Sequence, residues 1–332
     1  MKAMRIISCA SLFAIFFSLS NSFAATLKKI ASFDLPGPVG KRFDYLTIDP
    51  IHHHLLSAHL GAGLLYVIDL KTNRLIQTIS DLPGIEGVEY VPELNRAYTS
   101  DWKEQKIAVV DLNSMKILKK LPAGSKPDGS AYAADFHKLY VSDEVGKSEI
   151  VIDVLSDKIV KTLRFDSETG MPQYDPQTKI IYLNLQDQNI LAAIDPATDE
   201  VVGRYSVGRC IGNHGMALDS KNHLAFLACE GNNLMTVFSL LTHKPIAFLP
   251  LADGADVIKF DPGLAQIYVA CYSGAISVFH EDDPKHFTKL ADFPVQAKVH
   301  SLAVDTETHR VYAPEQEEDG KLVSKMIVYD VK

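Results

Sequence analysis

Seven residues recur through this chain at nearly constant spacing, and six of them carry groups that do chemistry. They are Asp44, Glu86, Asp128, Gly170, His214, Asp256 and His300, separated by 42 residues four times and by 44 twice. Carboxylates and imidazoles accept protons, bind cations and ligate metals. A mixed His and Asp/Glu set suits zinc, manganese, iron or nickel, whereas carboxylates alone suit calcium or magnesium. Carboxylates gathered at one point also repel strongly where the dielectric is low, so raised pKa values, imidazolium or a bound cation must offset them. We therefore single out Asp44, His214, Asp256 and His300 as candidate metal ligands, with Glu86 and Asp128 beside them as ligand-binding groups. A divalent metal ion is the expected cofactor, its identity left open. No nucleotide cofactor is expected, because the chain has no P-loop and no dinucleotide fingerprint; it also lacks G-x-S-x-G.

The spacing must come from the elements that carry these residues. Strands ending apolar-apolar-Asp recur at Val67-Ile68-Asp69, Val109-Val110-Asp111, Val151-Ile152-Asp153 and Ala193-Ile194-Asp195, again 42 residues apart. Weaker copies follow at Phe238-Ser239 and Phe279-His280, and the series ends at Val328-Tyr329-Asp330. An aromatic-led strand precedes most of them, at Tyr98, Tyr140, Tyr182, Phe226, Tyr268 and Tyr312, with Leu56 in the first copy. Seven copies of about 40–45 residues, each with four short strands, predict an all-β, seven-bladed β-propeller. In the third unit the four strands are expected at 130–134, 138–142, 148–154 and 159–165, with Asp-Pro and Thr-Asn or Thr-Asp pairs marking turns in the series. The seventh unit stops at its third strand, 326–331. Leu27-Lys28-Lys29-Ile30 has the pattern of the fourth strand Leu118-Lys119-Lys120-Leu121, so the N-terminal segment 27–35 is expected to complete the last blade and close the ring.

Tyr140-Val141-Ser142-Asp143, Tyr98-Thr99-Ser100-Asp101 and Tyr268-Val269-Ala270-Cys271 resemble the Tyr-Val-Thr-Asn strand of the YVTN-repeat propellers. With the Val-Ile-Asp strands, the chain resembles the YncE-like family of exported seven-bladed propellers over nearly all of residues 26–332. The resemblance implies the fold, and says little about activity, because propellers host many unrelated functions.

On this fold the seven recurring residues stand where the chain starts each innermost strand, around one end of the central channel. A second column lies at the end of each second strand, on the same face: His59, Asp101, Asp143, Leu185, Cys229, Cys271 and Glu315. His59 joins the ligand-binding candidates from this column. Arg42, Lys126 and Lys298 precede ring positions by two residues. They could draw an anion to the mouth or pair with the acidic ring, and pairing is the simpler account. His52-His53-His54 falls in a turn on the opposite face and reads as a solvent-exposed turn. Trp102 reads as a packed loop aromatic.

Residues 1–24 have the form of a cleaved signal peptide: Lys2 and Arg5, an apolar run from Ile6 to Leu19, then Ser22-Phe23-Ala24. The remaining 25–332 is read as a single propeller domain, periplasmic or secreted, without a membrane span and monomeric. Loss of Lys2 and Arg5 takes the net charge from −8 to about −10, which weighs against nucleic acid as a partner. Three cysteines remain. Cys210 and Cys229 fall in one blade on one face, either as a disulfide or as buried thiols.

Three functional readings follow. The first is a binding propeller that holds a small molecule or metal ion at a His/Asp-lined channel mouth. The second is a metal-dependent, lactonase-like hydrolase using the same ring, with His214 or His300 as general base. The third is a protein-interaction scaffold.

Overall fold

A computed structural model describes residues 27–331, Leu27 through Val331. The expected signal segment lies outside the described residues. Seven four-stranded antiparallel sheets form the structure. Their innermost strands are Leu46–Asp49, Ile85–Val91, Pro127–Ala133, Thr169–Asp175, Asn213–Asp219, Ala255–Asp261 and Ala303–Asp305, numbered here as blades 1 to 7. Each inner strand contacts the next, and that of blade 7 contacts that of blade 1, so the ring is closed. No helix among the described residues is long and apolar enough to cross a membrane.

The repeated aspartates have a local explanation. At the end of the third strand, Asp69 Oδ1 accepts the Lys71 and Thr72 N–H groups, each at 2.8 Å. Asp49 and Asp261 do the same for the turn after the inner strand. These side chains mimic a backbone turn, and a left-handed residue such as Asn73 (φ 54°) or His53 (φ 56°) finishes it. The tyrosine column bolts neighbouring blades together. Tyr98 Oη donates to Asp157 Oδ1 and Tyr140 Oη to Asp199 Oδ1, both at 2.5 Å, each from one blade to the next. Between blades lie continuous apolar layers of alternate strand residues, such as Leu56, Val67, Val88 and Val110.

The third blade follows expectation within a few residues, with strands Pro127–Ala133, Lys138–Asp143, Ser148–Asp153 and Lys158–Arg164. Closure also follows expectation. Leu27–Asp34 pairs antiparallel with Lys321–Val331 and becomes the outer strand of blade 7. Leu27 and Leu35 are buried at its two ends.

Removing residues 25–35 is therefore expected to destabilise the whole ring, because it opens a strand edge and uncovers apolar surface. A fall in melting temperature of about 10 °C or more is expected for a domain of this size. Melting at the temperature of the intact protein would contradict closure through this strand.

Candidate functional site

The ring residues sit at the start of the inner strands, and a backbone irregularity there turns them toward the axis. In blades 2 to 6 the register with the second strand shifts at this point, for example between Asn213 and Met216 in blade 5. The residue after the ring position must be small where neighbouring strands approach. A side chain at Gly87 would lie 2.1 Å from the Asp128 carbonyl oxygen, and one at Gly215 2.1 Å from that of Asp256. Glycine after Glu86 and His214 is thus a consequence of convergence on the axis.

Two His–carboxylate pairs form in the ring. His214 Nε2 is 3.5 Å from Asp256 Oδ1, and His300 Nε2 is 3.7 Å from Asp44 Oδ2. Arg42 stands over the second pair: its Nη2 is 3.1 Å from Asp44 Oδ2, and its Nε lies 3.2 Å from His300 Nε2, which accepts that N–H only while the imidazole is neutral. Lys126 serves the carboxylate side, 3.9 Å from Glu86 and in contact with Glu144. Lys298 is drawn away to Glu317 at 2.7 Å. Pairing with the acidic ring thus holds for Arg42 and Lys126 but not for Lys298.

Asp44, Glu86, Asp128 and His300 are 3–4% exposed, whereas the side chains of His214 and Asp256 are 13% and 21% exposed. The accessible part of the ring is this last pair. Two buried ring atoms have no hydrogen-bond partner, Glu86 Oε2 and His214 Nδ1, whereas Asp44 Oδ2 has its ion contacts with Arg42 and His300. As they stand, no three His, Cys, Asp or Glu side chains among the described residues converge into a metal-holding group.

Crowding displaces the titrations. Burial pushes the Glu86 carboxyl up to about 10, helped by Asp128 and Asp44 and opposed by Lys126 and Arg42. Burial likewise raises Asp128 to about 7, with His214 opposing. For His214 and His300 burial acts downward, but the surrounding carboxylates prevail and both imidazoles are raised. Asp44 is lowered, because His300 and Arg42 outweigh its burial.

No protein-family model matches the chain, and no curated protein matches it in sequence. Solved structures do match. The WD40 repeats of RRP9 superpose with a TM-score of 0.77 at 11% identity, covering 92% of this chain and all of that one. U3-55K gives 0.75 at 12% identity, with 90% and 98% covered. A mitotic checkpoint complex chain gives 0.78 at 10% identity, with 100% and 98% covered. The chain is a seven-bladed β-propeller. At these identities the likeness is one of fold.

Within this propeller the second column behaves differently from the ring. His59 is fully buried and stacked on Phe43, with ring centroids 4.0 Å apart. Its Nδ1 meets Tyr66 Oη at 2.8 Å and its Nε2 the Lys41 carbonyl at 3.2 Å. Burial lowers it to about 4, so it is a neutral packing group with both nitrogens engaged. Cys229 is bonded to Cys210, with Cα atoms 5.3 Å apart, which ties the loop before His214 to the second strand of blade 5. His52 is held by Asp49 at 2.7 Å in its turn.

Sequence reasoning missed the floor of the ring. Tyr45, Met171 and Val257, each one residue after a ring position, pack together across the channel. Tyr45 Oη lies 3.0 Å from His214 Nε2, so the floor also orients the accessible imidazole. The signal was available, because this column alternates bulky residues with Gly87, Gly129 and Gly215.

Glu86, Asp128 and both histidines hold protons in the folded state at pH values where the unfolded chain has released them. Stability should therefore be greatest near the ordinary carboxylate range and fall as pH rises through about 7 and toward about 10. Asp44 acts oppositely, but only below its ordinary value. Melting temperature is expected to decline from about pH 5 to about pH 9. Glu86→Gln should flatten that decline and raise the melting temperature at the alkaline end by several degrees. An unchanged slope would show that Glu86 is not held protonated.

Proposed function

We infer that the protein is an exported, YncE-like binding propeller whose His/Asp ring takes up a cation: a divalent metal ion or the positively charged head of a small ligand. The observation that carries this reading is the crowding of four carboxylates, Asp44, Glu86, Asp128 and Asp256, with two imidazoles at one ring. Burial, reinforced by the neighbouring carboxylates, leaves protons on Glu86 and Asp128 even with Arg42, Lys126 and the two imidazoles nearby. A cation that displaces those protons would relieve the same repulsion. The half-buried His214–Asp256 pair offers the first contacts, one imidazole nitrogen and one carboxylate. Arg42, with its side chain 49% exposed, is the group that would withdraw to let Asp44 and His300 join.

The Cys210–Cys229 bond supports the exported reading, because such bonds persist in oxidising compartments. A protein-interaction scaffold is the second reading. It is favoured by the WD40 propellers among the neighbours and by Val145, Ile211 and Tyr272, exposed apolar groups on the loops of the ring face.

The test is to equilibrate purified protein with zinc, manganese, nickel and calcium salts in turn, then measure bound metal and the shift in melting temperature. Wild type should retain a transition metal, and affinity should weaken as pH falls through the imidazole range. His214→Ala with His300→Ala should lose the metal while staying folded. If no metal is retained under any loading and organic cations do not stabilise wild type, the ring is a solvated channel lining.

A further inference from the structure

Below the Tyr45–Met171–Val257 floor the channel widens into a second chamber of about 650 Å³, inside the roughly 300–1,000 Å³ range of small-molecule sites. It reaches the surface between the turns that follow the inner strands, where Asp135 and Pro176 are exposed. Three of its lining residues are charged: Asp135 at the exposed rim and, deeper in the wall, Glu89 on blade 2 and Lys259 on blade 6. Glu89 and Lys259 each lie three residues beyond a ring position, on the same side of the strand as the floor position two places before.

The two charges are placed across the axis. Blades 2 and 6 are three steps apart around the ring by way of blades 1 and 7, the largest separation seven blades allow. Each group feels the other's charge, and no hydrogen bond acts on either. Burial pushes the Glu89 carboxyl up to about 8 and the Lys259 ammonium down, with the partner opposing in each case. An acid and a base thus stand apart on separate inner strands, half-buried in the chamber wall and not paired with each other. Thr47 and Gln173 add neutral polar groups to the wall between them. Tyr132 and Tyr174 stand at the outer end, their hydroxyls fixed by Glu93 and Asp135.

We propose that this chamber binds a short linear zwitterion with the chemistry of a free di- or tripeptide, its ammonium on Glu89 and its carboxylate on Lys259. A ligand with one charge at each end satisfies both walls at once. A singly charged ligand would satisfy one wall group only and leave the opposite one without a partner of complementary charge. Because the walls are preorganised strands, little ordering entropy opposes binding. The chamber is separated from the ring by the apolar floor, so this site is distinct from the cation site above it.

Calorimetry with triglycine, N-acetyl-triglycine and triglycine amide tests the assignment. Triglycine should bind wild type, and each blocked form should bind about tenfold or more weakly, having lost one charge-assisted contact. Glu89→Gln should lose discrimination between triglycine and its acetylated form, and Lys259→Met between triglycine and its amide. The His214→Ala, His300→Ala variant should keep triglycine affinity. Three outcomes would overturn the proposal: no triglycine binding at millimolar concentration, equal binding of all three probes by wild type, or loss of triglycine binding in the ring variant. The wild-type comparison stands even if a chamber variant fails to fold.

Discussion

Seven strands converging on one axis bring residues of the same register into mutual contact, and the channel is built around that constraint. Where two backbones come closest, only glycine fits, as at Gly87 against Asp128 and Gly215 against Asp256. Where the strands leave room, a few large side chains fill it, and Tyr45, Met171 and Val257 do so for the whole cross-section. The ring position just above cannot be apolar and dry, because it opens onto solvent at His214 and Asp256. It cannot be uniformly acidic either, since the repulsion would be prohibitive at this burial. The chain resolves the conflict with two imidazoles, Arg42, Lys126 and retained protons.

The fold was legible in the sequence because its signals are local. Asp69, Asp49 and Asp261 each cap a turn within three residues of themselves. A period of 42 residues then multiplies a local signal seven times. Ring closure was legible for the same reason: the seventh unit lacks an outer strand, and Leu27–Asp34 has the pattern of one.

The site was legible only as a list of positions. Register fixed which side chains meet at the axis, so Asp44, Glu86, Asp128, His214, Asp256 and His300 are indeed brought to one ring. Their pairing depends on loop paths that no period encodes. Arg42 and Lys298 each stand two residues before a ring position, yet one reaches Asp44 and His300 while the other turns to Glu317. His59 occupies a column that is buried in every blade, where Phe43 covers it and the Lys41 carbonyl takes its Nε2. The disulfide could not be told from two thiols by spacing alone, because the approach of Cys210 to Cys229 depends on the loop between Val207 and Gly212.

The apolar floor gives the two ends of the channel different electrostatics. Above it, one sign of charge predominates and protons or cations restore balance. Below it, one acid and one base stand on separate strands, with Asp135 at the rim. A low-dielectric partition strengthens interactions on each side, since field lines are not screened by continuous water. Tyr45 belongs to both compartments: its ring closes the floor and lines the lower chamber, while its hydroxyl meets His214 above. A shift of that ring would change the donor or acceptor available to the accessible imidazole. The two compartments thus share one side chain, whose position is set by its packing against Met171 and Val257.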